Sequence, residues 1–152
     1  MSSTHVARHF AASPHRVYRA LTDAETVARW RFPSGMSCEV HAWDAREGGT
    51  LRVSLTYDAP DRAGKSAEHT DTYRGRFARL VPDELVVEVD EFETSDPALR
   101  GEMTMTVSLR EADGGTDLVA VHDGLPPGVR PPDNELGWRE ALDRLAVLLE
   151  EQ

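Results

Sequence analysis

The chain has 152 residues, the length of about one domain, and it contains one cysteine, Cys38. A single cysteine excludes a disulfide framework within the chain and any site built from several thiolates, so we expect a reducing compartment and no metal cluster. The 17 lysines and arginines stand against 27 aspartates and glutamates, and the resulting formal net charge of −10 repels phosphate backbones and anionic membranes. The sequence has no apolar run of about 18 residues and no signal-peptide pattern. We therefore expect a single domain over residues 1–152, in the cytoplasm, with neither nucleic acid nor a membrane as its partner.

The N-terminal part is predicted to form a strand followed by two short helices. Thr4 to Phe10 is a short, partly alternating segment that indicates the strand. Ser13 is a suitable N-cap for the first helix, and Pro14 fits its first position, where no N–H is needed. Thr22 and Glu25 have capping-box spacing, which predicts that the second helix begins there.

The middle of the chain, from Met36 to about Asp123, alternates with a period of two and predicts antiparallel hairpins. Turns are predicted at Gly48-Gly49, at Pro82-Asp83-Glu84 and at Asp113-Gly114-Gly115. The polar segment from Asp58 to His69 predicts an exposed loop that joins two strands.

The C-terminal part is predicted to be a linker followed by one long helix. Gly124 to Pro132 is rich in proline and glycine and predicts irregular structure. Trp138, Leu142, Leu145 and Leu149 then recur at helical spacing, which predicts an amphipathic helix over Asp133 to Glu150.

This order of elements predicts an α+β fold. A sheet with one apolar face and a single apolar-striped helix must bury these surfaces against each other. We expect a curved antiparallel sheet of about six or seven strands that grips the C-terminal helix, with two short helices after the first strand. A cavity between sheet and helix is expected, on the order of 300–1,000 Å³ as in other ligand sites.

Several stretches together resemble a known superfamily. They are Met36 to Trp43 with Asp44-Ala45-Arg46-Glu47-Gly48-Gly49, Tyr73-Arg74-Gly75-Arg76-Phe77, Leu80-Val81-Pro82-Asp83-Glu84-Leu85, Gly101-Glu102-Met103-Thr104, Gly114-Gly115-Thr116, His122-Asp123-Gly124-Leu125-Pro126 and Asn134-Glu135-Leu136-Gly137-Trp138-Arg139. Their order and spacing, from His5 to Glu150, resemble the START-like, Bet-v-type helix-grip (SRPBCC) superfamily. More narrowly they resemble its branch related to the C-terminal domain of the activator of the heat-shock chaperone ATPase. The resemblance implies a helix-grip fold, whose members bind lipids, hormones and polyketides, catalyse cyclisations or assist chaperones.

Aromatic and methionine side chains are the candidates for lining a ligand cavity, and the resemblance places Trp138 at its mouth. The alternative is that they form an ordinary core. The predicted ligand-binding residues are Trp30, Phe32, Met36, Trp43, Tyr57, Tyr73, Phe77, Met103, Met105, His122, Trp138 and Leu142.

Catalytic motifs are absent from the sequence, and two residues are weak candidates for acid–base chemistry. Glu91 shares its alternation with Val87 and Val89, so a regular strand would carry it inward and burial would raise its pKa. The alternatives are that the strand ends or bulges before Glu91, or that Arg74 or Arg76 pairs with it.

His122 is the second candidate, because it shares its alternation with Leu118 and Ala120 and is expected to face the cavity as a polar group. Cys38 shares the apolar alternation of Met36, which indicates an inert buried thiol.

The preferred functional interpretation is binding of a small apolar or amphipathic ligand, with no metal and no cofactor. One alternative is an enzyme of the cyclase or dehydratase kind in the same cavity, with Glu91 or His122 as acid or base. Another is chaperone assistance through the outer surface, as the resemblance implies. The exposed strand edges also predict that the chain can form a homodimer.

Overall fold

The computed structural model describes residues 2–58 and 70–150. The predicted loop from Asp58 to His69 therefore lies, beyond its first residue, outside the described residues. In chain order the elements are β1 (Ser2–Phe10), α1 (Pro14–Thr22), α2 (Ala24–Trp30), β2 (Met36–Trp43), β3 (Thr50–Tyr57), β4 (Thr70–Val81), β5 (Leu85–Phe92), a short 3₁₀ turn (Pro97–Leu99), β6 (Met103–Ala112), β7 (Gly115–Leu125) and α3 (Pro131–Glu150).

The strands form one antiparallel sheet in the order β1-β7-β6-β5-β4-β3-β2. From β2 to β7, strands that follow one another along the chain pair as hairpins. β1 pairs with β7 and forms one edge of the sheet. The helix α3 packs against this sheet, and α1 and α2 pack beside it. The predicted α+β helix-grip architecture is confirmed. Within the described ranges, no helix is long and apolar enough to cross a membrane.

The two short helices share one capping residue. Ser13 Oγ accepts a hydrogen bond from the Arg16 amide at 3.3 Å, as predicted for the N-cap of α1. Asp23 ends α1 through its own amide, which donates to the Arg19 carbonyl, and begins α2 by accepting from the Thr26 amide at 3.1 Å. The predicted capping box at Thr22 is wrong, because Thr22 is the last residue of α1 and the Asp23 carboxylate takes the capping position.

The start of α3 also differs from the prediction. Pro131 and Pro132 belong to the first turn of the helix, although the sequence predicted an irregular segment up to Pro132. Proline is tolerated in a first helical turn because its missing N–H would have no partner there. The apolar stripe is as predicted, with Leu142, Leu145 and Leu149 buried against the sheet.

A bulge in β2 decides where Trp43 points. The pairing with β3 shifts between Val40 and Ala42, so His41 is an extra residue and Trp43 moves onto the inward face, opposite the buried Leu51. Trp43 packs edge-to-face on Phe77 with ring centroids 5.1 Å apart. The strict alternation of the sequence would have placed Trp43 on the opposite face from Met36.

The buried face of strand β5 is the opposite of the face that the sequence predicted. Its buried side chains are Val86, Glu88 and Asp90, whereas Glu91 lies on the outer face and forms an ion pair with Arg74, Nη2 to Oε1, at 3.1 Å. The inward expectation for Glu91 is wrong, and the alternative of pairing with an arginine is confirmed. Which face of a central strand is buried depends on its register with both neighbouring strands. The apolar residues within β5 therefore could not predict its buried face.

Candidate functional site

A cavity of about 800 Å³ lies between α3, the inner face of the sheet and the segment that follows α2. Its walls are mainly apolar, with a small number of ionisable groups among them. Seven of the predicted ligand-binding residues line it, namely Phe32, Met36, Tyr57, Tyr73, Met103, His122 and Trp138.

The other five predicted residues belong to the core and do not line this cavity. The Trp30 indole N–H donates to the Ala20 carbonyl at 2.9 Å, and the Trp43 indole N–H donates to the Thr22 carbonyl at 2.8 Å. Both tryptophans hold α1 and α2 in place. Phe77, Met105 and Leu142 are fully buried. These five match the alternative interpretation, an ordinary core.

A buried ion cluster that the sequence analysis did not identify lies at the cavity wall. Arg31, the residue that ends α2, donates to both carboxylate oxygens of Glu88, Nη1 to Oε2 at 2.7 Å and Nη2 to Oε1 at 2.9 Å. Its Nη2 also lies 3.8 Å from Asp90 Oδ2. The side chains of Arg31 and Glu88 are 10% and 0% exposed, so this pair is desolvated. One cation thus faces two buried carboxyl groups.

Aromatic rings hold the Arg31 guanidinium in place. Its Cζ lies 5.8 Å from the Tyr73 ring centroid and 5.9 Å from that of Trp138. Both distances are within the range of cation–π attraction, which strengthens where water is excluded. Burial acts against the charge of Arg31, but Glu88, Tyr73 and Asp90 together outweigh it and raise the pKa of Arg31 well above its ordinary value.

Asp90 is the carboxyl group of this cluster whose pKa is raised. Burial raises the pKa of Asp90 well above its ordinary value, and the charge of Glu88 raises it further, while Arg31 acts in the opposite direction. Its Oδ1 atom is buried and has no hydrogen-bond partner among the described residues. Gly75, opposite Asp90 on β4, makes room for this carboxyl, since a Cβ there would lie 2.1 Å from Oδ1.

His122 is held in one tautomer by two donors. The Trp138 indole N–H donates to His122 Nδ1 at 3.3 Å, and Asn134 Nδ2 lies at the same distance, while Asn134 Oδ1 accepts from Thr4 Oγ1 at 2.6 Å. An indole nitrogen can only donate, so Nδ1 is the acceptor and Nε2 carries the hydrogen. Burial lowers the pKa of His122 to about 4, and the charge of Arg31 lowers it too. Nε2 is buried without a partner in the described part of the chain.

His122 presents an N–H at Nε2 and therefore acts there as a hydrogen-bond donor, not as a base. Burial raises the pKa of the Cys38 thiol to about 11, partly offset by Arg31, which agrees with the predicted inert thiol. Over residues 2–58 and 70–150, no group of three or more His, Cys, Asp or Glu side chains is arranged to hold a metal ion.

Sequence reasoning missed Arg31, Glu88 and Asp90. The signal available was the pair of acids two positions apart within an apolar strand, which puts Glu88 and Asp90 on one face. The alternation Leu85, Val87 and Val89 was the stronger apolar pattern and pointed to the wrong face.

The fold and this cavity define the class of protein. A seven-stranded antiparallel sheet that packs on one long C-terminal helix, with two short helices after the first strand, is a helix-grip fold of the SRPBCC type. Residues 11–150 match the family model described as "Activator of Hsp90 ATPase homolog 1-like protein". The chain belongs to this family.

Solved structures agree with this assignment. A protein from Chromobacterium violaceum is similar over 99% of both chains, with 32% sequence identity and a TM-score of 0.87. A Rhodobacter sphaeroides protein with 24% identity covers 99% of this chain and 93% of its own, with a TM-score of 0.77. The AHSA1 protein of Silicibacter pomeroyi, with 18% identity, covers 98% of each chain at a TM-score of 0.78. The last two show the shared fold alone. No curated protein matches the chain.

Proposed function

We propose that this protein binds a small amphipathic molecule in the cavity between the sheet and α3. The observation that carries the proposal is a cavity of about 800 Å³ whose apolar walls include buried polar atoms without partners in the described part of the chain. Ligand sites of this kind combine apolar walls with a few placed polar groups.

The walls suit an aromatic or aliphatic body. Phe32, Met36, Tyr57, Met103 and Trp138 come from α3, from the segment after α2 and from three strands. Methionine side chains adapt to different shapes, and aromatic rings provide large contact areas. Removing an apolar body from water against such walls stabilises a complex by about 25 cal/mol per Å² of buried apolar surface.

The polar atoms favour a ligand with a polar end. Asp90 Oδ1 and His122 Nε2 are buried, and neither has a partner within residues 2–58 and 70–150. Each such atom costs roughly 1–3 kcal/mol when left unpaired. A bound molecule with hydrogen-bonding groups would remove part of this cost, which supports an amphipathic ligand over a purely apolar one.

Native mass spectrometry of protein purified from its own host tests the proposal, followed by titration with naphthylmethanol as a probe. We expect either a released small molecule or saturable probe binding, weakened at least about tenfold, or roughly 1.4 kcal/mol, in Trp138→Ala. The matched control is Val147→Ala on the same helix, because Val147 is exposed and away from the cavity. A clean mass together with no saturable binding would disprove the proposal, and equal binding by Trp138→Ala would place the site elsewhere.

An enzyme of the cyclase or dehydratase kind is a second candidate for the same cavity. The feature that favours it is the raised pKa of the buried Asp90 carboxyl, since a carboxyl group of raised pKa could serve as a general acid. The structure supplies no matching base from the predicted residues, because Glu91 lies on the outer face and His122 Nε2 carries a hydrogen. Ligand binding is therefore the better supported function.

Chaperone assistance is supported by the family description alone. The description names activation of the Hsp90 ATPase for the family's homologues. Measuring the ATPase rate of Hsp90 with and without this protein tests that candidate, and stimulation that survives Trp138→Ala would favour the outer surface over the cavity.

A further inference from the structure

The cavity is lined by more acidic than basic residues. Its basic lining residues in the described ranges are Arg31 and Arg130. Its acidic lining residues are Asp58, Asp71, Asp90, Asp133 and Glu140.

Both arginines of the lining are already matched by carboxylates. Arg31 has Glu88 at two short distances of 2.7 and 2.9 Å, and Glu88 is fully buried behind the wall. Arg130 lies 3.9 Å from Asp133 through Nη1 and Oδ2. An anionic ligand would therefore meet no unmatched arginine on the described part of the wall.

Asp90 supplies an independent observation that points to a ligand. The residue is 5% exposed, lines the cavity and leaves Oδ1 without a partner in the part of the chain that the structure describes. Burial and the neighbouring Glu88 both act against a second negative charge at this place, since both raise the pKa of Asp90. A negative charge on a ligand beside Asp90 would be disfavoured for the same two reasons.

We infer that the bound molecule has a head group that donates a hydrogen bond and carries no negative charge, as an alcohol or an amine does, and that the cavity excludes carboxylate amphiphiles. This inference rests on the proposed function. The donor of the head group satisfies Asp90, and the oxygen of an alcohol can also accept from the Nε2 hydrogen of His122. Selectivity against carboxylates arises because a carboxylate would lose its water beside the charge of Glu88 and would find no unmatched arginine on the described wall, a repulsive element that adds to the attractive ones.

Three probes that share one ring system and differ in head-group charge test the inference. Naphthylmethanol is neutral, naphthylmethylamine is a cation and naphthoate is an anion at neutral pH, and isothermal titration calorimetry measures all three. We expect the alcohol and the amine to bind at least about tenfold more tightly than naphthoate, a difference of about 1.4 kcal/mol. Binding of naphthoate that equals or exceeds the other two overturns the inference but leaves the proposed function standing. Absence of binding by all three together with a clean native mass overturns the proposed function itself, and release of a carboxylate amphiphile from the native protein overturns the inference.

A pair of double variants tests whether the Arg31 cluster is what excludes the carboxylate probe. Glu88→Gln with Asp90→Asn preserves side-chain size, removes the carboxylate that pairs with Arg31 and the second carboxyl group beside it, and so frees Arg31 to pair with an anion; naphthoate should gain at least about tenfold in affinity. The matched control is Glu91→Gln with Glu93→Gln, which removes two charges nearby, from the exposed pairs with Arg74 and Arg52. The control should leave the naphthoate affinity within about twofold of the original. An equal gain in both double variants would show that general charge, and not the Arg31 cluster, excludes the anion, and this would overturn the assignment to the cavity. Comparison of the three probes on the unaltered protein needs neither variant.

Discussion

Two arginines of this protein form bidentate pairs with glutamates at the same distances. Arg31 contacts Glu88 at 2.7 and 2.9 Å, and Arg52 contacts Glu93 at 2.7 and 2.9 Å. The side chains of the first pair are 10% and 0% exposed, and those of the second are 47% and 26% exposed. Arg31 donates through Nη1 and Nη2 and Arg52 through Nε and Nη2, but each makes two hydrogen bonds of the same lengths, so the main difference between the pairs is their burial.

Arg31→Met should therefore destabilise the protein far more than Arg52→Met. The first change leaves Glu88 buried without its cation and should lower the free energy of unfolding by about 3–5 kcal/mol. The second leaves Glu93 close to water, where solvent screens its charge, and should change the free energy of unfolding only slightly. Urea unfolding followed by circular dichroism measures both. Similar losses in the two variants would contradict the view that burial decides the effect.

His122 makes the stability of the fold depend on pH. Its pKa falls from 6.5 to about 4 on folding, because burial disfavours the cation. As the pH falls, the unfolded chain binds this proton before the folded chain does. The contribution of His122 to the free energy of unfolding is therefore fully present above about pH 6.5 and is lost between there and about pH 4. The full loss corresponds to roughly 3 kcal/mol.

We expect His122→Asn to lose less stability than the unaltered protein when the pH falls from about 7 to about 4.5. Thermal unfolding at the two pH values measures the difference. Asp90 acts in the opposite sense, since its raised pKa contributes stability at low pH that is lost as the pH rises. Asp90 is present in both proteins, so its contribution cancels when His122→Asn is compared with the unaltered protein. His15→Asn, whose imidazole on α1 is exposed, is the control. The same pH dependence in His122→Asn and the unaltered protein would argue against a buried neutral imidazole.

At the scale of elements, α3 holds in place the segment between α2 and β2, which forms one wall of the cavity. Arg144 donates through Nη1 to the Phe32 carbonyl at 2.6 Å, and its Cζ lies 4.2 Å from the Phe32 ring centroid. Glu140 Oε1 accepts from the Ser34 amide at 3.1 Å. Two side chains one turn apart on α3 thus hold the connection to β2.

Arg144→Met should loosen this connection without unfolding the protein. We expect amide hydrogen exchange in Phe32, Ser34 and Gly35 to become at least about tenfold faster, because the protection of a short segment depends on local contacts. The control on the same helix is Arg139→Met, whose exposed pair with Glu135 has a distance of 3.6 Å. Unchanged exchange in Arg144→Met would mean that Glu140 and local backbone bonds hold the segment by themselves.

The accuracy of the sequence predictions differed among the elements. Capping at Ser13 and the apolar stripe of α3 could be predicted because they depend on residues within one helical turn or a few turns. The inward face of β5 could not, because apolar residues lie on both sides of that strand and its neighbours set the register. The bulge at His41, which turns Trp43 inward, likewise depends on pairing with β3.

At the scale of the whole molecule, the sheet and α3 leave an acidic cavity in an acidic protein. The formal net charge of −10 and the excess of acidic residues around the cavity act in the same direction on a charged ligand. β1 and β2 are the edge strands of the sheet, and the homodimer expected from such edges stays a prediction.

The sequence by itself determined the α+β class and the order of the elements. These depend on local periodicity, capping and apolar content, which a chain carries wherever it folds. Only the tertiary structure decided which face of β5 is buried, and with it the meeting of Arg31 from the end of α2 with Glu88 and Asp90. The physical reason is that contacts between residues nearly sixty positions apart depend on register and packing, to which no local pattern in the sequence corresponds.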